Sequence, residues 1–333
     1  MNNFHNPYLI QVAPVTYGCT RRCIWCGIRS VPIDTKPIYL KRDLAYKISE
    51  EVGEWLEKVR IEFGLLGEPF MNRHLLDIVS YFHNNIKNPW IIAYTNGDLL
   101  DHDKVLEFFK SGGNLLIIDP YEESGYRRFV YMIEENKSEL ERLKVKVIFY
   151  DSEKHNFRHH DHHGRNRKFL VINDTLRSPR GTITWHTMGG NVDIGLVKKH
   201  GIYMDLEMKP NKYCTNPFRY FTLRSDGTVL ICCNDWRGDC IIAKYPEDGT
   251  LREIWYSDPF MAVRAILRYR RSIPPCKYCS YHGGYRIGLE PKIQFNSPEE
   301  FLANHQEKYR HLKLPNARNW NCIKTKTIRD VVR

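Results

Sequence analysis

The chain has 333 residues, more than the roughly 100 to 200 of a usual single domain, so one large domain with a smaller companion is expected. Hydrophobic residues at 42% and charged residues at 27% exclude an intrinsically disordered chain. No run approaches the ~20 apolar residues of a membrane span, residues 1–8 do not resemble a signal peptide, and a cytoplasmic protein is expected.

From 8 to 150 strand-like and helix-like segments alternate, the mark of β/α units around a parallel sheet. Residues 8–16 read as a first strand. Residues 41–59 read as a helix, with Leu44, Ile48, Val52, Trp55 and Val59 along one face. A strand at 60–66, a helix carrying Leu75, Ile78, Val79 and Phe82, and a strand at 90–95 ending in Asn96-Gly97 follow. The pattern then repeats with a helix around Val105, Leu106 and Phe109, a stop at Gly112-Gly113 and a strand at 115–119. A helix at 128–143 and a strand at 145–150 complete the run. Five such units suit a complete or partial α/β barrel or a doubly wound sheet, and in both, chemistry gathers at the carboxyl ends of the strands.

After Tyr150 the pattern loosens. Residues 151–168 hold His155, His159, His160, His162 and His163, read here as a solvated basic loop. Residues 179–181 and 189–191 read as loops, and a domain boundary is expected near 200–212. Beyond it, 218–223 and 228–231 flank Ser225-Asp226-Gly227 as a β-hairpin, and 251–271 reads as a helix. From Glu307 to Arg333, eight Lys or Arg stand against two acidic residues, with Tyr309 and Trp320 among them, a pattern open to nucleic-acid binding or to packing on the domain.

The ten cysteines cluster toward the two ends of a chain expected to be cytosolic, which favours metal binding over disulfides. Cys19, Cys23 and Cys26 lie within eight residues after an apolar strand. Three thiolates at this spacing can hold three irons of a cubane cluster and leave the fourth open, or can form a zinc loop. Later come Cys214, Cys232 and the pair Cys276 and Cys279, four ligands that suit either one zinc or one iron–sulfur cluster.

Cys19-Thr-Arg-Arg-Cys23-Ile-Trp25-Cys26 resembles the signature of the radical S-adenosylmethionine superfamily, including the aromatic residue before the last cysteine. Gly64-Leu-Leu-Gly67-Glu68-Pro69 resembles that family's motif for the methionyl amino group, and Thr95-Asn96-Gly97 its element near the nucleoside. Asp119 stands where relatives often place a ribose contact. The later cysteines resemble the SPASM/twitch extension, with Tyr285 where a full SPASM domain would continue with cysteine.

The resemblance implies a partial (β/α)6 TIM-like barrel over 1–205, a small α+β iron–sulfur domain of the twitch type over 206–290, and a basic extension over 291–333. It also implies a 4Fe-4S cluster on Cys19, Cys23 and Cys26, S-adenosyl-L-methionine held by Trp25, Gly67, Glu68, Thr95, Asn96 and Asp119, and one auxiliary 4Fe-4S cluster on Cys214, Cys232, Cys276 and Cys279. An electron donor such as flavodoxin or ferredoxin follows. Cys233, Cys240 and Cys322 are left over. All three read first as ordinary buried thiols, any one could replace a ligand, and Cys233 and Cys240 are also candidate hydrogen-atom donors, as in epimerase relatives.

The net charge of +11 attracts phosphate-rich ligands, so a nucleotide or nucleic acid leads the expected substrates, with a peptide second and a carbohydrate third. A zinc-ribbon nucleic-acid-binding protein without radical chemistry is the competing reading of the same cysteines and charge.

Overall fold

The computed structural model describes residues 6–150, 167–173, 188–199, 214, 216–267 and 275–280. The histidines at 155–163, Tyr285, Cys322 and the basic extension lie outside the described residues. The chain divides into two compact units, each built from separate stretches of sequence: one holds 11–21 and 36–183, the other 1–10, 22–35 and 184–333.

The first unit begins within β1 (Leu9–Val12) and adds a small ladder of β2 (Val15–Thr16) with β3 (Ile38–Tyr39). Asn72 secures this corner, donating from Nδ2 to the carbonyls of Pro14 and Leu40. Helix α1 (Arg42–Trp55) buries Ala45, Ile48 and Val52, positions three and four apart that share one face. Strand β4 (Lys58–Phe63), α2 (Leu75–Asn85) and β5 (Asn88–Thr95) follow, then α3 (His102–Lys110), whose cap Asp101 accepts from Lys104 N. Strand β6 (Leu115–Ile118), α4 (Glu123–Glu135), α5 (Lys137–Arg142), β7 (Val145–Tyr150) and β8 (Lys168–Asn173) complete the unit.

The strands of this unit stand in the order β1-β4-β5-β6-β8-β7. The pairs β4–β5, β5–β6, β6–β8 and β8–β7 are all parallel. This is the α/β class expected, as an open array with β7 at one edge. Strand β8, not read from the sequence, inserts between β6 and β7; the strand expected over 8–16 is two, β1 and β2, and the helix expected over 128–143 is also two, α4 and α5.

One face of the sheet packs on the helices, with Phe63 of β4 edge-on to Phe82 of α2 at 5.3 Å between ring centres. The other face carries Trp90, Ile92, Leu115, Ile117, Phe169 and Val171 as one apolar cluster. Arg60 and Glu62 of β4 join it as a buried ion pair at 2.5 Å, with Gln11 donating to Glu62 and Tyr94 OH bonded to Glu62.

The second unit contains α6 (Ile194–Lys199), α7 (Asn216–Arg219), and the antiparallel β9 (Tyr220–Leu223), β10 (Thr228–Leu230) and β11 (Ile241–Lys244). The hairpin read around Ser225-Asp226-Gly227 is thus β9–β10, turned by Gly227 at φ 84°. The single helix expected over 251–271 is two: α8 (Leu251–Trp255), closed by a Thr250/Glu253 capping box, and α9 (Asp258–Leu267). Their core joins Phe221, Trp255 and Phe260, with Arg264 stacked over the last two rings at 3.9 and 3.8 Å. Among the described residues, no helix is long and apolar enough to cross a membrane.

Candidate functional site

Four turns at strand ends of the first unit build one hydrogen-bonded assembly. After β4 the chain runs through Gly64, Leu65 and Leu66, all at positive φ (141°, 61° and 50°). Two consecutive leucines in the left-handed region store strain, as functional turns often do. The turn is held by Tyr17 N donating to the Leu66 carbonyl and Glu68 N to that of Gly18. Gly67 is required by this approach, since a Cβ there would meet the carbonyl oxygens of Val15 at 2.5 Å and Gly18 at 2.7 Å.

The turn delivers Glu68, 3% exposed, to the end of β5. Its Oε1 accepts from Thr95 Oγ1 at 2.7 Å and Phe70 N at 3.2 Å, and Oε2 from Asn96 N at 3.0 Å. Burial pushes its carboxyl above the usual range, while the three donors pull it down and Asp98 nearby adds to the rise. A buried carboxylate so fixed has the chemistry to pair with an ammonium group.

Asn96 links this carboxylate to the first cysteine. Its Nδ2 donates to Thr20 Oγ1 at 2.9 Å and to Cys19 Sγ at 3.5 Å, and its Oδ1 accepts from Asp98 N. Arg21 N donates to the same sulfur at 3.4 Å. Burial raises the Cys19 thiol, and the charges of Glu68 and Asp98 add to this, against the lowering by the two donors. N–H groups aimed at sulfur suit a metal-bound thiolate.

Asp98 then clasps Arg21 through two bonds of 2.7 Å and accepts from Thr20 Oγ1 at 2.9 Å. The hydrogen bonds from Arg21 hold the Asp98 carboxyl below its ordinary range. Thr20, Arg21 and Asp98 were not singled out from the sequence. Asp98, directly after Thr95-Asn96-Gly97, was the available signal. Asp119, partly buried after β6, accepts from Asn173 Nδ2 of β8, and burial raises its carboxyl.

Cys23, Cys26 and Trp25 fall in the second unit. Trp25 packs on Val192 and Val197 together with Met188 and Ile194. Cys26 N donates to the Cys23 carbonyl, and Arg22 Nη2 donates to the carbonyls of Ile28 and Val31, closing the loop on itself.

The second unit also gathers the later cysteines. Cys232 is buried, and its thiol is pushed well above its ordinary value, first by burial and then by the charges of Cys233, Cys276, Cys279 and Cys214. Buried thiols this close resist ionising together and become thiolates only when bound metal supplies positive charge, so the donor set fits an iron–sulfur cluster. Cys233, partly exposed, belongs to this group. Cys240 is fully buried, and its N–H donates to Asp235. Among the described residues, no three His, Cys, Asp or Glu are grouped to hold a single metal ion.

Two family models match the chain: the Radical SAM superfamily over residues 13–146, and an iron–sulfur cluster-binding domain, SPASM, over residues 214–280. Among solved structures, BtrN in complex with AdoMet and 2-DOIA is 18% identical with a TM-score of 0.60, the match covering 83% of this chain and 94% of that one. BtrN in an open conformation is 17% identical with a TM-score of 0.51, covering 80% and 89%. At these identities the likeness is one of fold. No curated protein matches the chain.

Proposed function

The chain belongs to the radical S-adenosylmethionine superfamily and carries a SPASM-type iron–sulfur domain, and from that premise we propose that it oxidises a substrate by hydrogen-atom abstraction, using two clusters. The observation that supports this most is the unbroken hydrogen-bond path from Cys19 Sγ through Asn96 to Glu68, which joins a cluster thiol to a buried carboxylate in one rigid frame. When bound, the first cluster and S-adenosylmethionine supply the electron, the cleavage to methionine and the 5′-deoxyadenosyl radical, and the auxiliary cluster supplies an electron acceptor.

In this reading Cys19, Cys23 and Cys26 hold the first cluster. Glu68 receives the methionyl ammonium, Thr95 and Asn96 keep its carboxylate aimed, and Gly67 lets the turn approach Gly18. Asp119 takes the ribose, and Trp25 backs the triplet loop. Cys214, Cys232, Cys276 and Cys279 hold the auxiliary cluster. Cys233 and Cys240 are kept as hydrogen-donor candidates for an outcome in which the substrate leaves as an isomer instead. A flavodoxin or ferredoxin delivers the electron.

Substrates are ranked by two observations. The net charge of +11 favours an anionic substrate, so nucleotides lead, ahead of peptides. BtrN, the fold neighbour at TM-score 0.60, holds 2-DOIA, and that compound joins the panel beside a carbohydrate, the third-ranked class. The test is anaerobic reconstitution, reduction, and incubation with S-adenosylmethionine and each candidate in deuterated form. About eight irons per chain, substrate-dependent 5′-deoxyadenosine and deuterium in that product are expected. Colourless, zinc-loaded protein that leaves S-adenosylmethionine intact would overturn the reading in favour of a nucleic-acid-binding zinc protein.

A further inference from the structure

Residues 22–35, which carry Cys23 and Cys26, fold into the same compact unit as the later cysteines, and three contacts within that unit hold them. The backbone of Gly27 lies against the indole of Trp236, so close that a Cβ at 27 would sit 2.2 Å from Cδ1 and 2.4 Å from Nε1. Ser30 Oγ donates to Asn191 Oδ1 at 3.1 Å, and Asn191 Nδ2 in turn donates to the carbonyls of Asn234 at 2.9 Å and Met188 at 2.7 Å. Trp25 packs on the apolar cluster of Val192 and Val197.

Asn234 and Trp236 belong to the turn that directly follows Cys232-Cys233, and this turn is rigid for stated reasons. Asp235, fully buried, accepts from Asp239 N at 2.7 Å and Cys240 N at 2.9 Å. Arg224, at the end of β9, donates to the carbonyls of Asp235 and Trp236. Asp235 N donates to the Cys232 carbonyl. The result is a continuous packed path from Cys232-Cys233 through Asn234, Asp235 and Trp236 to Gly27, the residue after Cys26.

We propose that Trp236 is a positioning residue for the radical-generating cluster: the turn built on Cys232-Cys233 seats Cys26 by bracing Gly27, so that the auxiliary site must be ordered for the first cluster to be placed. This rests on the assignment of the two cysteine sets given above. A bracing contact of this kind is local and steric, so substitutions on its two sides are non-additive. Gly27→Ala forces a methyl into a flat, buried ring that cannot swing aside, whereas Trp236→Ala removes the brace.

The test compares the reconstituted parent protein with Gly27→Ala, Trp236→Ala and the double variant. The readouts are iron per chain, the reduced-cluster electron paramagnetic resonance signal with and without S-adenosylmethionine, and the melting temperature. Each single variant is expected to lose several-fold of the S-adenosylmethionine-sensitive signal while keeping the signal of the other cluster. The double variant is expected to return to within about twofold of the better single variant or above it, because the methyl enters the space the indole vacates.

Additive losses, or a Gly27→Ala signal equal to the parent's, overturn the proposal. Should Gly27→Ala be insoluble, Trp236→Phe carries the test, since the smaller ring no longer reaches Gly27. A weakened signal at an unchanged melting temperature supports the brace, and an unchanged signal sinks it. A parent protein with no S-adenosylmethionine-sensitive signal at all refutes the cluster assignment itself, and the brace with it. A parent signal that the variants leave intact refutes the brace alone.

Discussion

The Asn96 side chain ties two loops together: its carbonyl accepts from Asp98 N in its own turn, and its amide donates to Thr20 Oγ1 and Cys19 Sγ in the other. With Cys19 a ligand of the first cluster, as proposed, donors to its sulfur stabilise the more negative, reduced state, so Asn96→Ala is expected to lower that cluster's reduction potential by a few tens of millivolts. A redox titration followed spectroscopically checks this, and an unchanged potential would show that the Cys19 contact carries no electrostatic weight. Asp235 makes a second residue-scale prediction. Burial pushes its carboxyl up to about 6, against the two N–H donors.

The unfolded chain releases the Asp235 proton near pH 4 and the folded chain near pH 6, so in that window the folded state holds more protons. Stability therefore falls as pH rises through the window, by a total of roughly 3 kcal/mol from this group. In Asp235→Asn that contribution to the slope is expected to vanish, measured as the difference between parent and variant urea midpoints from pH 4 to 7. Glu68, Thr95 and Asn96 were legible because they lie in short motifs. The Arg21–Asp98 clasp was not, because a bond between residues 77 apart leaves no local mark, and Asp235 reads in sequence as an ordinary turn acid.

Strands β4 and β5 show what the pattern of elements conveys. Their apolar side is plain in the sequence, but Arg60, Glu62 and Tyr94 on the opposite side look like the polar face of an exposed strand. In the fold, Arg60 and Glu62 are 4% and 5% exposed, and burial is the chief reason the Tyr94 phenol is raised. Removing Glu62 takes the compensating carboxylate from a buried guanidinium, so Glu62→Ala is expected to cost about 3–5 kcal/mol in urea unfolding. A cost under 1 kcal/mol would show that Arg60 finds water. Helices α1 to α3 were legible because each has one clear apolar face, and β5 and β6 because a parallel strand covered on both sides reads as a short continuous apolar run. Strand β8 was missed because its four apolar residues, Phe169 to Ile172, follow a long polar stretch with no helix pattern before them, and β11 because it follows a cysteine-bearing turn.

At the scale of the molecule, the two compact units cannot be read from the order of the sequence, because each collects separate stretches and the division falls between Arg21 and Arg22, inside the cysteine triplet. Family likeness gave the two cluster domains, and packing alone shows which stretches share a core. Charge is a property of the whole chain. If +11 steers an anionic substrate, raising the salt from 0.05 to about 0.5 M shrinks the screening length from above 10 Å to a few ångström. KM is then expected to rise several-fold with kcat little changed, as steady-state kinetics would show, whereas a neutral substrate leaves KM flat and a cationic one lowers it.

The place of β8 between β6 and β7 also sets a timetable for synthesis. Strand β7 leaves the ribosome before the strand that will flank it, so its edge waits for at least the 18 residues from 151 to 168, on the order of one to four seconds at usual elongation rates. During that interval Val145, Val147 and Phe149 form a β-prone run with open backbone groups, a template for pairing with another nascent chain. Lys144 flanks that run and Lys146 interrupts it with positive charge, and the histidine-rich stretch that follows is the next to emerge. Replacing both lysines with neutral residues is therefore expected to lower the soluble yield during expression while leaving the folded protein's melting temperature nearly unchanged.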